Sequence, residues 1–337
     1  MIYPNFISKG NIIGVCAPSD GVSEIPKINR LNYAIDNFKS LGFLVKETSS
    51  VRQSINGKSN DSKIQAQELE SLYSDKEVSA IICVGGGDFL LEMLSFVDFD
   101  KIKNNVKWLQ GYSDPTGLLF IITTNLDIAT LYSHNFTAYG MNPWHESLIN
   151  SHEILKGNIV EQNSFIKYES GHTKYVTGDE SYVLDKDVLW ENLNGEDKIE
   201  MEGRIIGGCI DILTELFGTR FDNTKEFIER YKNDGIIWYF DNCELTSECL
   251  IRTLWKFKDN GWFKYTKGII FGRSALESSY YDISFKDAIK HSLSELNVPI
   301  IVNADIGHVA PQMTIINGAI VNIKSLYGKG KVSFSLK

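Results

Sequence analysis

The segment that decides the fold is Val106-Lys-Trp-Leu-Gln-Gly-Tyr-Ser-Asp-Pro-Thr-Gly-Leu-Leu-Phe-Ile-Ile122. Its first five residues predict a short strand, Gly111 ends that strand, and Leu118 to Ile122 predict an apolar, buried helix. Asp114 is a favourable N-cap for this helix, and Pro115 suits its first position, where a missing N–H costs nothing. A strand that turns directly into a helix is the unit from which parallel α/β sheets are built.

Ser113 lies in the turn between this predicted strand and helix. The N–H groups and the dipole at a helix N-terminus favour a developing negative charge. A nucleophilic serine needs an exposed hydroxyl, a fixed direction and nearby donors for an oxyanion. A catalytic serine and a Ser-Asp pair that only caps the helix explain this turn equally well. The turn differs from the G-x-S-x-G elbow of α/β-hydrolases, because Pro115 occupies the last position.

Strand and helix alternate through the first half of the chain. Strands are predicted near residues 11–16, 43–47 and 79–84, and helices at 25–41, at 61–73 and from residue 89. This alternation predicts a parallel sheet with helices on both faces. Ligands of such sheets collect at the carboxyl ends of strands, where Gly85-Gly86-Gly87 and Ser113 fall. The triple glycine permits either an oxyanion hole or a plain turn, and it does not complete G-x-G-x-x-G.

The pattern loosens between residues 125 and 197 and resumes in the second half, which places a domain boundary near residue 165. We therefore predict an N-terminal α/β domain at residues 1–165, which carries the candidate nucleophile. A second α/β domain at residues 166–337 carries the candidate acid and histidine.

The composition is that of a soluble globular protein, with 337 residues of which 43% are hydrophobic and 23% charged. A net charge of −9 argues against a nucleic-acid or anionic-membrane partner. We find neither a secretory signal nor an apolar run of about 20 residues. The five cysteines are scattered without zinc-site spacing. These features predict a cytoplasmic protein without a metal or other cofactor, whose partner is a small molecule or another protein.

A serine nucleophile needs a base and an orienting carboxylate. His308 is the best base candidate, because it follows a buried strand in a turn before Pro311, although a single histidine is more often structural. Asp241, at the end of a predicted strand, and Glu244 are the candidate acids, and both could instead cap helices. The other histidines lie in irregular or surface-like segments: His134, His145, His152, His172 and His291.

Several motifs, in order and spacing together, resemble the LD-carboxypeptidase family of serine peptidases, which includes the microcin C immunity peptidases. They run through nearly the whole chain: Ala17-Pro-Ser, Gly85-Gly86, Gly111-Tyr-Ser-Asp, Gly203-Arg-Ile-Ile-Gly-Gly with Gly218-Thr219, Lys267-Gly-Ile-Ile-Phe-Gly-Arg and Val298-Pro-Ile-Ile-Val-Asn-Ala-Asp-Ile-Gly-His. The resemblance implies a two-domain α/β protein, a cytoplasmic homodimer without metal. It also implies that Ser113 is the nucleophile, that His308 is base and then acid, and that the N–H groups of Gly86 and Asp114 form the oxyanion hole.

The chain departs from the family pattern in three places. Asp241 stands where the family usually has its triad glutamate, so Asp241 or Glu244 completes the triad. Tyr139-Gly140-Met141 replaces a His-Gly-Pro. Val84 stands where cell-wall-recycling members have arginine, and this residue, together with Trp190, resembles the immunity branch, in which a tryptophan stacks on the nucleotide.

The predicted function is a serine hydrolase of carboxypeptidase type that acts through an acyl-enzyme. Its substrate is either the L,D bond before the terminal D-amino acid of a murein peptide or the amide of a peptidyl or aminoacyl nucleotide. A basic residue in the pocket favours the first substrate, and a stacking Trp190 favours the second. The alternative is a catalytically impaired protein that binds a small molecule or peptide on the same scaffold, because of Asp241. An α/β-hydrolase esterase is disfavoured by Pro115.

Overall fold

A computed structural model describes residues 1–171 and 173–337, and it confirms the predicted α/β fold class. The strands are β1 (Ile12–Cys16), β2 (Leu44–Glu47), β3 (Val78–Cys83), β4 (Trp108–Gly111), β5 (Thr130–Tyr132), β6 (Gln162–Asn163), β7 (Lys167–Tyr168), β8 (Lys186–Asp187), β9 (Glu191–Asn192), β10 (Lys198–Cys209), β11 (Ile236–Asp241), β12 (Thr266–Gly272), β13 (Ile300–Ala304), β14 (Ile315–Asn317), β15 (Ile320–Leu326) and β16 (Lys329–Ser335). The α-helices are α1 (Ile25–Ser40), α2 (Ser62–Ser74), α3 (Phe99–Asn104), α4 (Thr116–Leu126), α5 (Glu146–Leu155), α6 (Ile210–Leu216), α7 (Thr224–Arg230), α8 (Ser247–Asp259) and α9 (Phe285–Leu293). Among the described residues, no helix combines the length and apolar character that crossing a bilayer requires.

The chain divides into two compact units. The N-terminal unit consists of Met1–Ile159, Gly171–Val183 and Thr314–Ile316, and the C-terminal unit consists of Val160–Ser170, Leu184–Met313 and Asn317–Lys337. In the middle of the chain the unit changes at residues 159–160, 170–171 and 183–184, on both sides of the predicted boundary at residue 165. Each unit nevertheless takes short segments from the other half of the chain. A sequence pattern does not reveal such an exchange, because it depends on contacts between residues far apart in the chain.

The N-terminal unit is built on a six-stranded sheet in the order β14-β5-β4-β3-β1-β2. The pairs β2–β1, β1–β3, β3–β4 and β4–β5 are all parallel. The carboxyl ends of these strands therefore share one edge of the sheet. The chain starts at β1, adds β2 on one side and then β3 on the other, and such a switch of direction opens a ligand crevice beyond the strand ends.

Helix α4 confirms the predicted strand–turn–helix but begins differently from expected. It starts at Thr116, Pro115 is the capping residue, and no side chain caps it. The prediction that Asp114 is the N-cap is therefore wrong. Its carboxylate instead accepts hydrogen bonds from the Ser19 hydroxyl and, at 2.9 Å, from the Leu90 N–H. Asp114 therefore binds residues that are distant in the sequence in place of the N–H groups of α4.

The C-terminal unit is built on an eight-stranded sheet in the order β6-β16-β15-β10-β11-β12-β13-β9. Its four central strands, β10 to β13, pair in parallel, while its outer strands pair antiparallel. Cys209, the last residue of β10, is paired in register with Asp241, the last residue of β11. The segment that carries His308 follows β13 at the same edge. This edge therefore gathers a thiol, a carboxylate and an imidazole.

Candidate active site

Ser113 has a backbone conformation that few serines adopt. Its φ is +69°, in the left-handed region, where residues other than glycine are uncommon and strained. Such strain persists where surrounding structure enforces it, and it recurs at catalytic turns, including the nucleophile elbow. The Ser113 carbonyl accepts the N–H of Thr116 at 2.9 Å, which ties the turn to the first residue of α4. The half-buried serine is thus held in one direction, as a nucleophile requires.

Gly86 lies directly beside Ser113. A Cβ atom on Gly86 would lie 3.0 Å from the Ser113 Oγ and 3.8 Å from the backbone N of Asp114. A side chain at this position would therefore press on the Ser113 hydroxyl. By contrast, a Cβ on Gly85 would have no neighbour within 4 Å. The backbone of Gly86 and Asp114 is therefore near the hydroxyl, and their role as oxyanion donors stays a prediction.

The side chain of Asp114 connects the loops around Ser113. It is 1% exposed, and it holds Ser19, in the loop after β1, and Leu90, beyond the loop after β3. Gln65 of α2 secures the same loop by donating to the Ser19 carbonyl at 2.7 Å. Burial raises the pKa of Asp114 to about 6, because the hydrogen bonds to its carboxylate only partly offset desolvation. The Ala17-Pro-Ser motif thus contributes a hydroxyl that positions the turn at Ser113 and Asp114.

A cavity of about 320 Å³ opens at this edge of the N-terminal sheet. Its walls are the loop after β1 at residues 20–22, the loop after β3 at residues 84–87, and Tyr112 beside the candidate nucleophile. Lys27 and Arg30 from α1, Tyr175 and the segment with Asn135, Thr137 and Ala138 also line it. The cavity therefore lies where the strand order predicts a ligand crevice.

Arg30 gives this cavity a buried positive charge. It is 1% exposed, its Nη1 donates to the carbonyls of Gly178 and Glu180 at 3.1 and 3.0 Å, and its guanidinium lies 4.2 Å from the ring centre of Tyr175. In the described part of the chain its Nε has no hydrogen-bond partner. A buried, incompletely bonded guanidinium favours a ligand with a carboxylate or phosphate group.

The C-terminal unit joins His308 to Asp241. The Nδ1 atom of His308 lies 2.6 Å from Oδ2 of Asp241, and the backbone N–H of His308 donates to Oδ1 of the same carboxylate at 3.2 Å. Asp241 is completely buried, whereas Glu244 is exposed and its backbone N–H binds Asp211. Of the two candidate acids, Asp241 is the one that the structure places in contact with the histidine.

Gly307 allows this contact. Its φ is +92°, and a Cβ atom there would lie 1.9 Å from the Asp241 carboxylate carbon. No other residue fits this turn without moving the carboxylate. The Gly-His sequence thus reflects the close approach of backbone to acid.

A buried ion pair supports the segment around His308. The Arg273 guanidinium lies 2.7 Å from Oδ1 of Asp305, and both side chains are nearly or fully buried. Arg273 also donates to the carbonyls of Val309 and Pro311, at 3.2 Å each. These bonds fix the chain on both sides of the histidine. They explain why the strand motif at residues 267–273 ends in arginine.

Trp190 lies in the core of the C-terminal unit. It is 2% exposed, its Nε1 donates to Oδ2 of Asp305 at 2.9 Å, and a Cβ on Gly330 would lie 2.3 Å from its ring. An indole packed in this way offers no face to a nucleotide. The prediction that Trp190 stacks on a substrate is therefore corrected, and Trp190 is a packing residue that also holds Asp305.

The other described histidines have structural surroundings. His134 and His152 are buried, and desolvation lowers their pKa values to about 3 and about 4, so they are weak bases. The His145 side chain caps α5, and His291 lies exposed on α9. His172 lies outside the described residues.

Comparison with known protein families decides the family. Residues 13–133 match the LD-carboxypeptidase N-terminal domain, and residues 202–323 match the LD-carboxypeptidase C-terminal domain. Together these two matches span more than half of the chain. The chain belongs to the LD-carboxypeptidase family.

Two curated relatives represent the two predicted substrate classes. The microcin C7 self-immunity protein MccF of Escherichia coli is 24% identical over 92% of this chain and 89% of that protein. The "Probable murein peptide carboxypeptidase" of Bacillus subtilis is 22% identical over 94% of this chain and 89% of that protein. These identities are nearly equal, so they do not favour one substrate over the other.

Solved structures agree on the fold. An MccF-like protein from Bacillus anthracis superposes with a TM-score of 0.83 at 24% identity, and each chain is covered completely. The structure of MccF in complex with aspartyl sulfamoyl adenosine gives a TM-score of 0.82 at 20% identity, again over both whole chains. The family match and these superpositions confirm both the resemblance seen in the sequence and the two-domain α/β fold.

Sequence reasoning missed several residues of the candidate site. Arg30 and Tyr175 belong to a helix and a loop far from any motif. Ser19, Gly307 and Arg273 lie inside motifs that carry the family resemblance, but their roles become visible only through their contacts. A charged residue on the apolar face of α1 was the available signal for Arg30.

The raised pKa of Asp114 predicts a pH-dependent stability. The native carboxyl binds its proton up to about pH 6, whereas its ordinary value is 3.8. The native state therefore binds more protons in this range, and the free energy of unfolding falls as pH rises from 4 to 7. Two pKa units correspond to about 3 kcal/mol. Urea unfolding at pH 4, 5, 6 and 7 should show that Asp114→Asn lacks this part of the decline. Asp36→Asn, on the exposed surface of α1, should keep it, and parallel pH profiles for the wild type and Asp114→Asn would contradict the assignment.

Proposed function

We propose that this protein is a serine carboxypeptidase in which Ser113 is the nucleophile and His308, oriented by Asp241, is the general base. The observation that carries the proposal is the hydrogen bond of 2.6 Å between His308 Nδ1 and the buried Asp241. At this position the sequence departs from the family's glutamate, and the shorter acid still reaches the ring. The strained φ of Ser113 supports the proposal from the N-terminal unit.

In the proposed reaction, His308 accepts the hydroxyl proton of Ser113 at Nε2 while Asp241 holds the Nδ1 side of the ring. The Ser113 oxygen bonds to the scissile carbonyl carbon, and the N–H groups of Gly86 and Asp114 stabilise the resulting oxyanion. His308 then gives the proton to the leaving amine, the C–N bond breaks, and an acyl-enzyme remains. Water, deprotonated by His308, hydrolyses this ester and restores the serine.

The cavity of the N-terminal unit supports a substrate with a free carboxylate. Lys27 and Arg30 line it, and in the described chain no carboxylate side chain pairs with Arg30. A terminal carboxylate would supply the missing acceptor and the opposite charge. Lys27 and Arg30 would supply the positive charge that cell-wall-recycling members of the family have as an arginine at the position of Val84. The favoured substrate is therefore the L,D bond before the terminal D-amino acid of a murein peptide, which would make the protein part of peptidoglycan recycling.

A second candidate substrate is a peptidyl or aminoacyl nucleotide, as in microcin immunity. Tyr175 favours it, because its ring lines the cavity and is 37% exposed. An exposed ring next to a guanidinium suits a nucleobase together with a phosphate. The buried Trp190 does not support a nucleotide substrate, and the exposed ring of Tyr175 is the feature that does.

The competing proposal is a catalytically impaired binding protein on the same scaffold. The intact acid–histidine contact and the strained serine argue against it, because binding alone needs neither. From the family resemblance we further propose that the working form is a homodimer in the cytoplasm.

Replacement of the nucleophile tests the proposal. Purified protein is incubated with a murein tetrapeptide and, separately, with an aminoacyl sulfamoyl adenosine, and the products are followed by mass spectrometry. We expect release of the terminal D-alanine, and we expect Ser113→Ala to lower its rate by a factor of at least about 10³, since triad members act as a unit. Circular dichroism of the variant controls for folding. Equal turnover by the wild type and Ser113→Ala would refute the role of Ser113 as the nucleophile. Cleavage of the adenosine conjugate alone would show that the substrate is an aminoacyl nucleotide.

The proposed carboxylate recognition predicts discrimination against a neutral C-terminus. A tetrapeptide with a C-terminal amide cannot form a charged pair in the cavity, so its kcat/KM should fall by about tenfold or more relative to the free acid. Lys27→Met should reduce this ratio, while Lys63→Met, on the exposed surface of α2, should leave it unchanged. The measurement is kcat/KM for both peptides with each protein. A ratio near one in the wild type would exclude the cavity cations from substrate recognition.

A further inference from the structure

Three potential metal ligands meet at the edge of the C-terminal sheet. The thiol of Cys209, a carboxylate oxygen of Asp241 and a ring nitrogen of His308 all lie within 4.8 Å of one another. Cys209 and Asp241 end two neighbouring strands and are paired in register, so the sheet fixes their separation. The three residues are far apart in the sequence and match no metal-binding motif. The register of β10 with β11 and the turn after β13 bring them together.

We infer that this cluster binds a thiophilic divalent cation, with Zn²⁺ as the natural example, and that the bound cation switches the hydrolase off. The second part rests on the proposed function. Thiolate, imidazole and carboxylate are the three ligand types that zinc prefers, and three of them with one water complete a tetrahedral site. The cluster supplies one of each.

Charge and burial favour such a site. Asp241 is completely buried and Cys209 is 2% exposed, while the side chain of His308 keeps 15% of its surface exposed. The Cys209 thiolate and the Asp241 carboxylate carry the two negative charges that balance a divalent cation. The exposed part of His308 provides access from solvent. The Cys209 thiol donates a hydrogen bond to Oδ2 of Asp211 at 3.3 Å, and this bond orients the sulfur before the thiol is deprotonated.

Binding changes the bonds of two ligands. The Cys209 S–H bond and its hydrogen bond to Asp211 are replaced by a sulfur–metal bond, and the thiol proton goes to solvent. Nδ1 of His308 takes the cation in place of its hydrogen bond to Asp241, and the ring proton moves to Nε2. Metal–ligand distances of about 2.0–2.3 Å place the ligand atoms about 3.4 Å apart, so shifts of about an ångström suffice. An Nε2 that carries a proton cannot accept one from Ser113, which is the cause of the inhibition.

Cobalt spectroscopy tests the site without any assay of activity. The full-length protein, reduced and cleared of metals with a chelator, is titrated with Co²⁺. We expect one Co²⁺ per chain, a thiolate-to-cobalt band in the near ultraviolet, the visible bands of tetrahedral cobalt, and displacement by Zn²⁺. Cys209→Ser should abolish the thiolate band and weaken Co²⁺ binding at least about tenfold. Cys249→Ser, a matched change on α8, should alter neither property.

The inference is overturned if the thiolate band is absent from the wild type, persists in Cys209→Ser, or disappears only in Cys243→Ser. The inhibitory part is tested on tetrapeptide turnover: saturating Zn²⁺ should lower the wild-type rate more than tenfold and leave the rate of Cys209→Ser nearly unchanged. Equal inhibition of both proteins refutes it. If cobalt binds but no peptide is turned over, the metal site stands and the proposed function is refuted. If turnover depends on Ser113 but cobalt does not bind, the proposed function stands and the metal site is refuted.

Discussion

The parallel pairing of strands is the constraint on which both units depend. Neighbouring strands that run in one direction must all end at the same edge of the sheet, and the chain leaves that edge through short loops. In the N-terminal unit this edge carries Ser113 and the glycines after β3. In the C-terminal unit it carries Asp241 and His308. The candidate site residues are therefore brought together by the parallel pairing of the strands. The helices mainly cover the sheets, and α1 also lines the cavity.

Buried carboxylates organise the loops at these edges, and each has a different task. Asp114 joins three loops around the serine and keeps a raised pKa, because its hydrogen bonds do not compensate fully for its burial. Asp305 is paired with Arg273 and held by Trp190, and it supports the histidine segment. Asp241 is bound by both the ring and the backbone of His308. Removal of any one partner would leave the buried carboxylate with fewer hydrogen bonds, which is destabilising.

The sequence predicted the fold class and strands β1 to β4, because buried parallel strands are apolar runs with clear ends. It also predicted Ser113 and His308 as candidates, since both follow such runs in turns. The prediction that Asp114 caps α4 was wrong, because its carboxylate binds the distant Ser19 hydroxyl instead. The prediction that Trp190 stacks on a substrate was wrong, because its ring is packed against Gly330. The choice between Asp241 and Glu244 could not be made from sequence, because it depends on a turn made possible by Gly307.

The central claim is that Ser113 is an activated nucleophile, and covalent labelling tests it most directly. A fluorophosphonate is attacked by a serine oxygen with loss of fluoride, and tandem mass spectrometry locates the modified residue. We predict one label per chain on Ser113, and labelling at least about a hundredfold slower in His308→Ala, because the base is removed. Modification of another serine, or an unchanged rate in His308→Ala, would contradict the account.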